Sequence, residues 1–248
     1  MLFQQLPPTR YDLRFSIAGI PVSVHPSFWL IAILFGASGN LLLLPIWVVV
    51  VFVSILVHEL GHALAFRRYG QSSHILLYFG GGLTIPEPVY WASGYANVGL
   101  TANQQIFISL AGPVSGFLFA ALVIAIILVT GGSVITDRLL GFIPLPLSAV
   151  MPFGGIVVAA LVSMLLWVNI FWGLINLMPV YPLDGGSVAR NIFLQADPMD
   201  GIRKSIWLSV IAGAIVALVG LFFFRSVFIA LLFAVLAFQS YQSLNYRH

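Results

Sequence analysis

Three polar side chains lie within five residues of an otherwise apolar stretch of the chain. The sequence HELGH, at 58–62, contains His58, Glu59 and His62. On an α-helix, side chains at positions i and i+4 share one face, so both imidazoles can bind one metal ion. Glu59 is rotated by about 100° from His58 and can approach a water molecule at the ion rather than the ion itself. These residues therefore predict a zinc-dependent hydrolytic centre of the HExxH type.

A catalytic zinc centre of this type takes three ligands from the protein and leaves the fourth position for water. The chain has no cysteine, so the third ligand has to be His, Asp or Glu. Asp184 is the leading candidate because of its surroundings. It lies in NLMPVYPLDGG, residues 176–186, where two prolines end a helix and paired glycines permit sharp turns. The alternative is that Asp184 is a turn residue capping a helix that begins near Ser187.

The composition that surrounds these residues is that of a membrane protein. Of the 248 residues, 60% are hydrophobic and 7% are charged, and the mean hydropathy is +1.07. Soluble domains carry about 25% charged residues. The net charge of +3 comes from basic residues scattered between apolar segments, so it forms no basic patch and argues against nucleic acid as a partner.

Six segments are apolar and approach the length of about 20 helical residues that is needed to cross a bilayer. We place them at about 27–40, 42–66, 104–130, 154–178, 204–223 and 226–244. With the N-terminus in the cytoplasm, Arg138 and Arg225 lie outside and eight basic residues lie inside, as the positive-inside rule requires. The eight are Arg10, Arg14, Arg67, Arg68, Arg190, Arg203, Lys204 and Arg247.

Two segments between the predicted spans have the composition of short strands. They are FSIAGIPVSV, before the first span, and SSHILLYFGGGLTIPEPVYW, after the second. The predicted fold is therefore an all-α polytopic membrane protein with about six transmembrane helices and a small membrane-associated β-sheet or hairpin.

The depth of HELGH in its span separates two interpretations of the motif. His62 precedes Arg67 by about 7 Å of helix rise, and Glu59 lies deeper still. An ionised carboxylate in the middle of a bilayer costs about 2.5 to 3.5 kcal/mol even on permissive scales, so a partner is expected. The alternative is structural: the two histidines hydrogen-bond neighbouring helices, and Glu59 extends to the interface.

Four motifs together resemble the site-2 protease family of intramembrane zinc metalloproteases. They are HELGH at 58–62, YFGGGL at 78–83, AGP at 111–113 and NLMPVYPLDGG at 176–186. The resemblance covers about residues 15–195. It implies one zinc ion per chain, held by His58, His62 and Asp184, with Glu59 as the general base.

The resemblance also implies roles for two further sites. Asn176 corresponds to a family asparagine that orients the substrate or the developing oxyanion. The alternative is that Asn176 hydrogen-bonds carbonyls freed at the helix break. Phe79, Gly80, Gly81 and Gly82 offer a strand edge that holds an unwound substrate, and the alternative is a re-entrant packing loop.

The functional hypothesis is a zinc metalloendopeptidase that cuts within or beside transmembrane segments of other membrane proteins. We expect one membrane-embedded domain over 1–248, with a core at about 15–195, a helical hairpin at about 203–246, and no PDZ or nucleotide-sensing domain. The expected location is the cell membrane, with the N-terminus and active site toward the cytoplasm. The alternative hypothesis is a metal-binding membrane protein without proteolysis, such as a transporter or an inactive scaffold.

Overall fold

The computed structural model describes residues 9–36, 40–87, 89–91, 94–96, 99–139 and 143–245. The helices are α1 (Pro26–Gly36), α2 (Leu44–Arg68), α3 (Ala102–Val129), α4 (Gly155–Asn176), α5 (Asp184–Ala196), α6 (Gly201–Phe222) and α7 (Val227–Asn245). The strands are β1 (Leu13–Ile17), β2 (Ile20–Val24), β3 (Ser73–Tyr78), β4 (Gly81–Pro86), β5 (Val89–Trp91), β6 (Gly94–Ala96), β7 (Ser133–Leu139) and β8 (Ile143–Val150). The predicted mainly helical membrane fold with a small sheet is confirmed.

Five of the helices are long and apolar enough to cross a membrane. They comprise α2 with the 3₁₀ turn before it, α3, α4, α6 and most of α7. The expectation for 27–40 differs from the structure, because α1 has 11 residues and rises only about 16 Å. That is about half of the hydrocarbon thickness. Residues 37–39 of this predicted span, and Arg247, lie outside the described residues.

The chain forms two compact units. The first contains residues 1–99 and 114–173, and the second contains residues 100–113 and 174–248. The first unit therefore holds the strands, α1 and α2, and most of α3 and α4. The second unit holds the start of α3, the end of α4, and α5 to α7.

A four-stranded sheet of order β1-β2-β3-β4 is the centre of the first unit. β1 and β2 form the hairpin predicted from FSIAGIPVSV, and β3 and β4 form a second antiparallel pair. β2 and β3 are parallel, because α1 and α2 connect them. This arrangement leaves β4 at one edge of the sheet.

Alternating side chains of β2 and β3 pack this sheet against α2. In β2 the residues Ile20, Val22 and Val24 are buried, and in β3 the alternating residues Ile75 and Leu77 are buried. They form one apolar core with Phe28 of α1 and with residues of α2, namely Ile55, Leu56 and Ala63. Because side chains of a strand alternate between its two faces, this pattern fixes which face of the sheet meets α2.

A second hairpin in the first unit was not predicted from the sequence. β7 and β8 pair in antiparallel register from Ser133 with Val150 to Leu139 with Ile143. β8 contains Pro144 and Pro146, which remove two backbone donors and obscure the strand pattern in the sequence. The segment was therefore treated only as a connection between two spans.

In the second unit, small residues allow α6 and α7 to pack closely. A side chain at Gly213 would press on Ala237 and the main chain at Phe233, and one at Gly220 would press on Ile229. Small residues at such crossings let two helix backbones approach, which is the usual means of helix association in a bilayer. The predicted helical hairpin at the end of the chain is present as this α6–α7 pair.

Polar contacts hold the middle of α2 to its neighbours in the first unit. The Asn169 amide nitrogen of α4 donates to Ser54 Oγ at 2.9 Å and to Leu165 O at 2.8 Å. Ser115 Oγ of α3 donates to Val57 O at 2.9 Å. These bonds lie within one helical turn of His58, so they fix the rotation of α2 where the HELGH motif begins.

We predict that Ser54→Ala lowers the stability of the protein because it removes the acceptor of Asn169. Interhelical hydrogen bonds of this type contribute about 0.6 kcal/mol on average and up to about 1.7 kcal/mol in membrane proteins. Equilibrium unfolding in mixed micelles measures the difference. Ser243→Ala is the matched control, because the Ser243 hydroxyl donates only within its own helix, to Ser240 O. Equal stability of both variants would contradict the role of the Ser54 bond.

Candidate metal centre

The two histidines of HELGH face each other along one side of α2. His58 Nε2 and His62 Nε2 lie 3.2 Å apart, and the ring planes are inclined by 76°. Both side chains are buried. α2 runs without interruption from Leu44 to Arg68, so the i and i+4 spacing predicted from the sequence is realised on a regular helix.

This separation fits two ligands of one zinc ion. Nitrogens about 2.0 to 2.1 Å from a tetrahedral ion lie about 3.4 Å from each other. The distance also suits a single hydrogen bond between two neutral imidazoles, and measurement of bound metal separates the two cases. Two imidazoles and a carboxylate are a donor set that zinc commonly takes, so the residue types fit the ion as well.

Glu59, next to His58 on α2, is also buried and is hydrogen-bonded by a residue of strand β4. Thr84 Oγ1 lies 2.7 Å from Glu59 Oε2 and 3.0 Å from the Glu59 carbonyl oxygen. Glu59 is 5% exposed, so this contact partly replaces the water that its carboxylate would otherwise bind. Thr84 was not identified from the sequence, because nothing in the sequence shows which residue of a strand will face a given helix.

Besides Thr84, Gly82 of β4 also faces Glu59. A Cβ atom at position 82 would overlap Cγ, Cδ and Oε1 of Glu59. The absence of a side chain at position 82 therefore provides the space that the glutamate occupies. Gly82 and Thr84 are two residues apart on a strand, which places them on the same face.

Tyr78, at the end of β3, lies near this pair. Burial raises the pKa of Tyr78, and the carboxylate of Glu59 raises it further. The phenol therefore keeps its proton at neutral pH. Its ring lies against the main chain at Gly80, where a side chain would overlap it, so the turn between β3 and β4 is shaped around this ring.

Asp184 is the first residue of α5, in the second unit. The sequence suggested a helix beginning near Ser187, but α5 begins three residues earlier and includes Asp184 in its first turn. The two following glycines make this possible. A side chain at Gly185 would overlap Leu177 O, and one at Gly186 would overlap the main chain at Val180 and Tyr181. The chain before α5 therefore folds directly against the start of this helix.

The remaining predicted residues occupy two places. Asn176 is buried and ends α4, immediately before the turn that leads toward α5. Phe79 and Gly80 form the turn after β3, whereas Gly81 and Gly82 are the first residues of β4. Of the predicted ligands, His58 and His62 lie in the first unit and Asp184 lies in the second.

These features define a class: a multi-pass helical membrane protein that carries an HExxH motif on one of its spans. The chain belongs to peptidase family M50, whose model matches residues 46–219. It is 27% identical to zinc metalloprotease MJ0392 of Methanocaldococcus jannaschii over 218 residues, which are 86% of this chain and 54% of that protein. It is 30% identical to Rip3 of Mycobacterium tuberculosis over 209 residues, which are 82% of this chain and 41% of Rip3.

The fold is also similar to a solved structure. The site-2 protease from Methanocaldococcus jannaschii superimposes with a TM-score of 0.56 and 24% sequence identity, covering 94% of both chains. This likeness supports the arrangement of helices and strands. The chain spans about half or less of the length of the curated relatives that it matches.

We predict that Gly82→Ala destabilises the protein, because the new methyl group overlaps the buried Glu59 side chain. Overpacking of this kind costs about 1 to 3 kcal/mol. Thermal unfolding in detergent measures the change. Gly99→Ala is the matched control, since a side chain at position 99 meets open space. Equal melting temperatures of the two variants would show that Glu59 does not lie against position 82.

Proposed function

We propose that this protein is an intramembrane zinc metalloendopeptidase that hydrolyses peptide bonds within or next to transmembrane segments of other membrane proteins. The observation that carries the proposal is the paired Nε2 atoms of His58 and His62, 3.2 Å apart and buried on a membrane-spanning helix of an M50 family member. A soluble metallopeptidase needs no such placement. A buried, membrane-level pair of ligands is expected of an enzyme whose substrates lie in the bilayer.

The proposed ligands are His58, His62 and Asp184, with one zinc ion per chain. Charge supports this set, because a divalent ion together with Glu59 and Asp184 has no net charge, which reduces the cost of burying each group alone. When bound, zinc supplies Lewis acidity, which polarises a carbonyl and lowers the pKa of water. His58, His62 and Asp184 would hold the ion, and Glu59 would act on the water.

Glu59 is the proposed general base. It accepts a proton from the attacking water and returns a proton to the amine that leaves when the peptide bond breaks. Its carboxylate is held away from bulk water on α2, and its hydrogen bond to Thr84 keeps one oxygen in a fixed place. Asn176 is proposed either to orient the substrate or oxyanion, or to bind the carbonyls at the end of α4.

The substrate of such an enzyme has to be unwound, because a helix hides its peptide bonds in its own hydrogen bonds. β4 is an edge strand of the sheet, which supports a model in which an extended substrate segment adds to it as a further strand. Phe79, Gly80, Gly81 and Gly82 form the start of this proposed binding edge. A packing role for the glycine-rich turn is the alternative.

The proposed location is the cell membrane, with the N-terminus and the active site toward the cytoplasm. The positive-inside bias of the loops supports this orientation. The last turn of α2 carries Arg67 and Arg68, so the end of α2 nearer to HELGH would be the cytoplasmic end. We further propose that residues 1–248 act as one metalloprotease domain.

We predict that Glu59→Gln lowers the rate of cleavage of an epitope-tagged transmembrane substrate by about 100- to 10,000-fold, as expected for loss of a general base. The variant should retain about one zinc ion per chain, because Glu59 is not a ligand. Asp184→Ala should lower both the cleavage and the zinc content. Asp137→Ala is the control, because Asp137 is exposed on β7, where its carboxylate accepts a hydrogen bond from Ser148 Oγ at 3.0 Å. Cleavage rate and zinc content by mass spectrometry are measured on the same preparations.

The results separate the hypotheses. Undiminished cleavage by Glu59→Gln contradicts the proposed mechanism. Stoichiometric zinc in a wild-type protein that cuts none of a panel of transmembrane substrates favours the second hypothesis, a metal-binding membrane protein without proteolysis.

We also predict that substrate binding depends on backbone hydrogen bonds to the edge of the sheet. A substrate peptide with N-methylated residues beside the cut site should be cut about tenfold more slowly, because each methyl group removes one donor. A peptide methylated at equal number far from the cut site is the control. Equal rates for both peptides would exclude strand addition at β4.

A further inference from the structure

The contact between Glu59 and Thr84 links the proposed general base to the edge of the sheet. A threonine hydroxyl has one hydrogen to donate. Of the two acceptors within reach, Glu59 Oε2 is closer, at 2.7 Å, than the Glu59 carbonyl oxygen, at 3.0 Å. The bond to a carboxylate is also the stronger of the two because the acceptor is charged. The hydroxyl therefore donates mainly to Oε2.

One face of β4 contacts the side chain of Glu59. Thr84 contacts Oε2, whereas Oε1, Cδ and Cγ lie over Gly82. The hydrogen bond to Oε2 and the position of Oε1 over Gly82 together restrict rotation of the carboxylate. The terminal torsion of a glutamate has a broad energy profile, so without such contacts the carboxylate would rotate.

We propose that Thr84 is a positioning residue for Glu59, and that its hydroxyl, with the space left by Gly82, holds the carboxylate in the orientation needed for proton transfer. This inference deepens the proposed function and rests on it. Thr84 is not itself the proton acceptor. It acts through Glu59.

The position of Thr84 in an edge strand gives this contact a second consequence. The proposed substrate segment pairs with β4, and the carboxylate of the base is fastened to the same strand. The bond between Thr84 and Glu59 therefore opposes a displacement of β4, and of a substrate paired with it, relative to the base on α2. Misplacement of reacting groups by about 1 Å can cost about 100-fold in rate, so such coupling has kinetic value.

A purely structural role makes a different prediction. If Thr84 only compensates the burial of a carboxylate, its removal lowers stability and leaves the turnover of the folded enzyme unchanged. If it positions Glu59, kcat falls in protein that is folded and contains zinc. KM stays constant in the second case, because the hydroxyl does not contact the substrate.

The test compares Thr84→Val with Thr84→Ser in the full chain, using the same tagged transmembrane substrate. Valine keeps the shape of threonine and lacks the hydroxyl, and serine keeps the hydroxyl. We expect Thr84→Val to lower kcat by about 10- to 100-fold, the range for hydrogen bonds to charged groups. KM should change less than about twofold, and zinc should remain at one ion per chain. Thr84→Ser should restore kcat to within about threefold of the wild type.

Thr130→Val is the matched control, because Thr130 directly follows α3 and its one hydroxyl hydrogen is shared between Ile126 O, at 2.8 Å, and Ile127 O, at 3.0 Å, in the last turn of that helix. Its kcat should equal that of the wild type. The positioning role is overturned if Thr84→Val keeps the wild-type kcat, if only KM changes, if zinc is lost, or if Thr84→Ser is as slow as Thr84→Val.

Failure of this inference and failure of the proposed function give different results. If Glu59→Gln is inactive and Thr84→Val is fully active, only the positioning role is wrong. If Glu59→Gln cuts as fast as the wild type, the general-base assignment is wrong, and positioning of that base falls with it.

A double-mutant cycle tests the contact without an activity measurement. Thr84→Val should lower the melting temperature less in a Glu59→Ala background than in the wild type, because its partner is then absent. Equal shifts in both backgrounds would show that the two residues do not interact, and would also overturn the inference.

Discussion

The first unit depends on one constraint: the Glu59 carboxylate and the imidazoles of His58 and His62 are buried on an otherwise apolar helix, α2. A charged group at membrane depth costs several kcal/mol unless polar partners surround it. The structure meets this demand with short contacts from neighbouring elements. Thr84 binds the Glu59 carboxylate, while Asn169 and Ser115 bind α2 one turn before the motif or directly beside it. Hydrogen bonds from neighbouring elements therefore compensate the burial of the polar groups of α2.

The small sheet explains how a membrane protein brings strand residues to this helix. Its apolar face packs on α1 and α2, and the alternation of side chains then turns Gly82 and Thr84 toward Glu59. The same sheet leaves β4 with an edge for pairing. Strand backbone with an open edge is tolerated near a bilayer only where protein or water covers it. A substrate segment that pairs there would supply the missing hydrogen bonds.

The chain belongs to peptidase family M50, and its HELGH motif lies on a helix that is long and apolar enough to cross a membrane. Family membership supports zinc and proteolysis, and the geometry of this chain gives each a physical basis. Two nitrogens lie 3.2 Å apart, which fits two ligands of one tetrahedral ion, and the buried carboxylate of Glu59 is hydrogen-bonded to Thr84. The proposed reaction needs these groups, a third ligand, a zinc ion, a water molecule and an unwound substrate.

The local features of this protein can be predicted from its sequence. It gave the spans of α2, α3, α4, α6 and α7, the β1–β2 hairpin and the HELGH motif, because helix period, length and apolar composition are local properties. It overestimated the length of α1 and missed the β7–β8 hairpin, because Pro144 and Pro146 of β8 hide the strand pattern. The contacts of Gly82 and Thr84 with Glu59 cannot be predicted in this way, because the face that a strand presents depends on sheet register and on packing against α2. Those are interactions between residues far apart in the chain, and no local pattern encodes them.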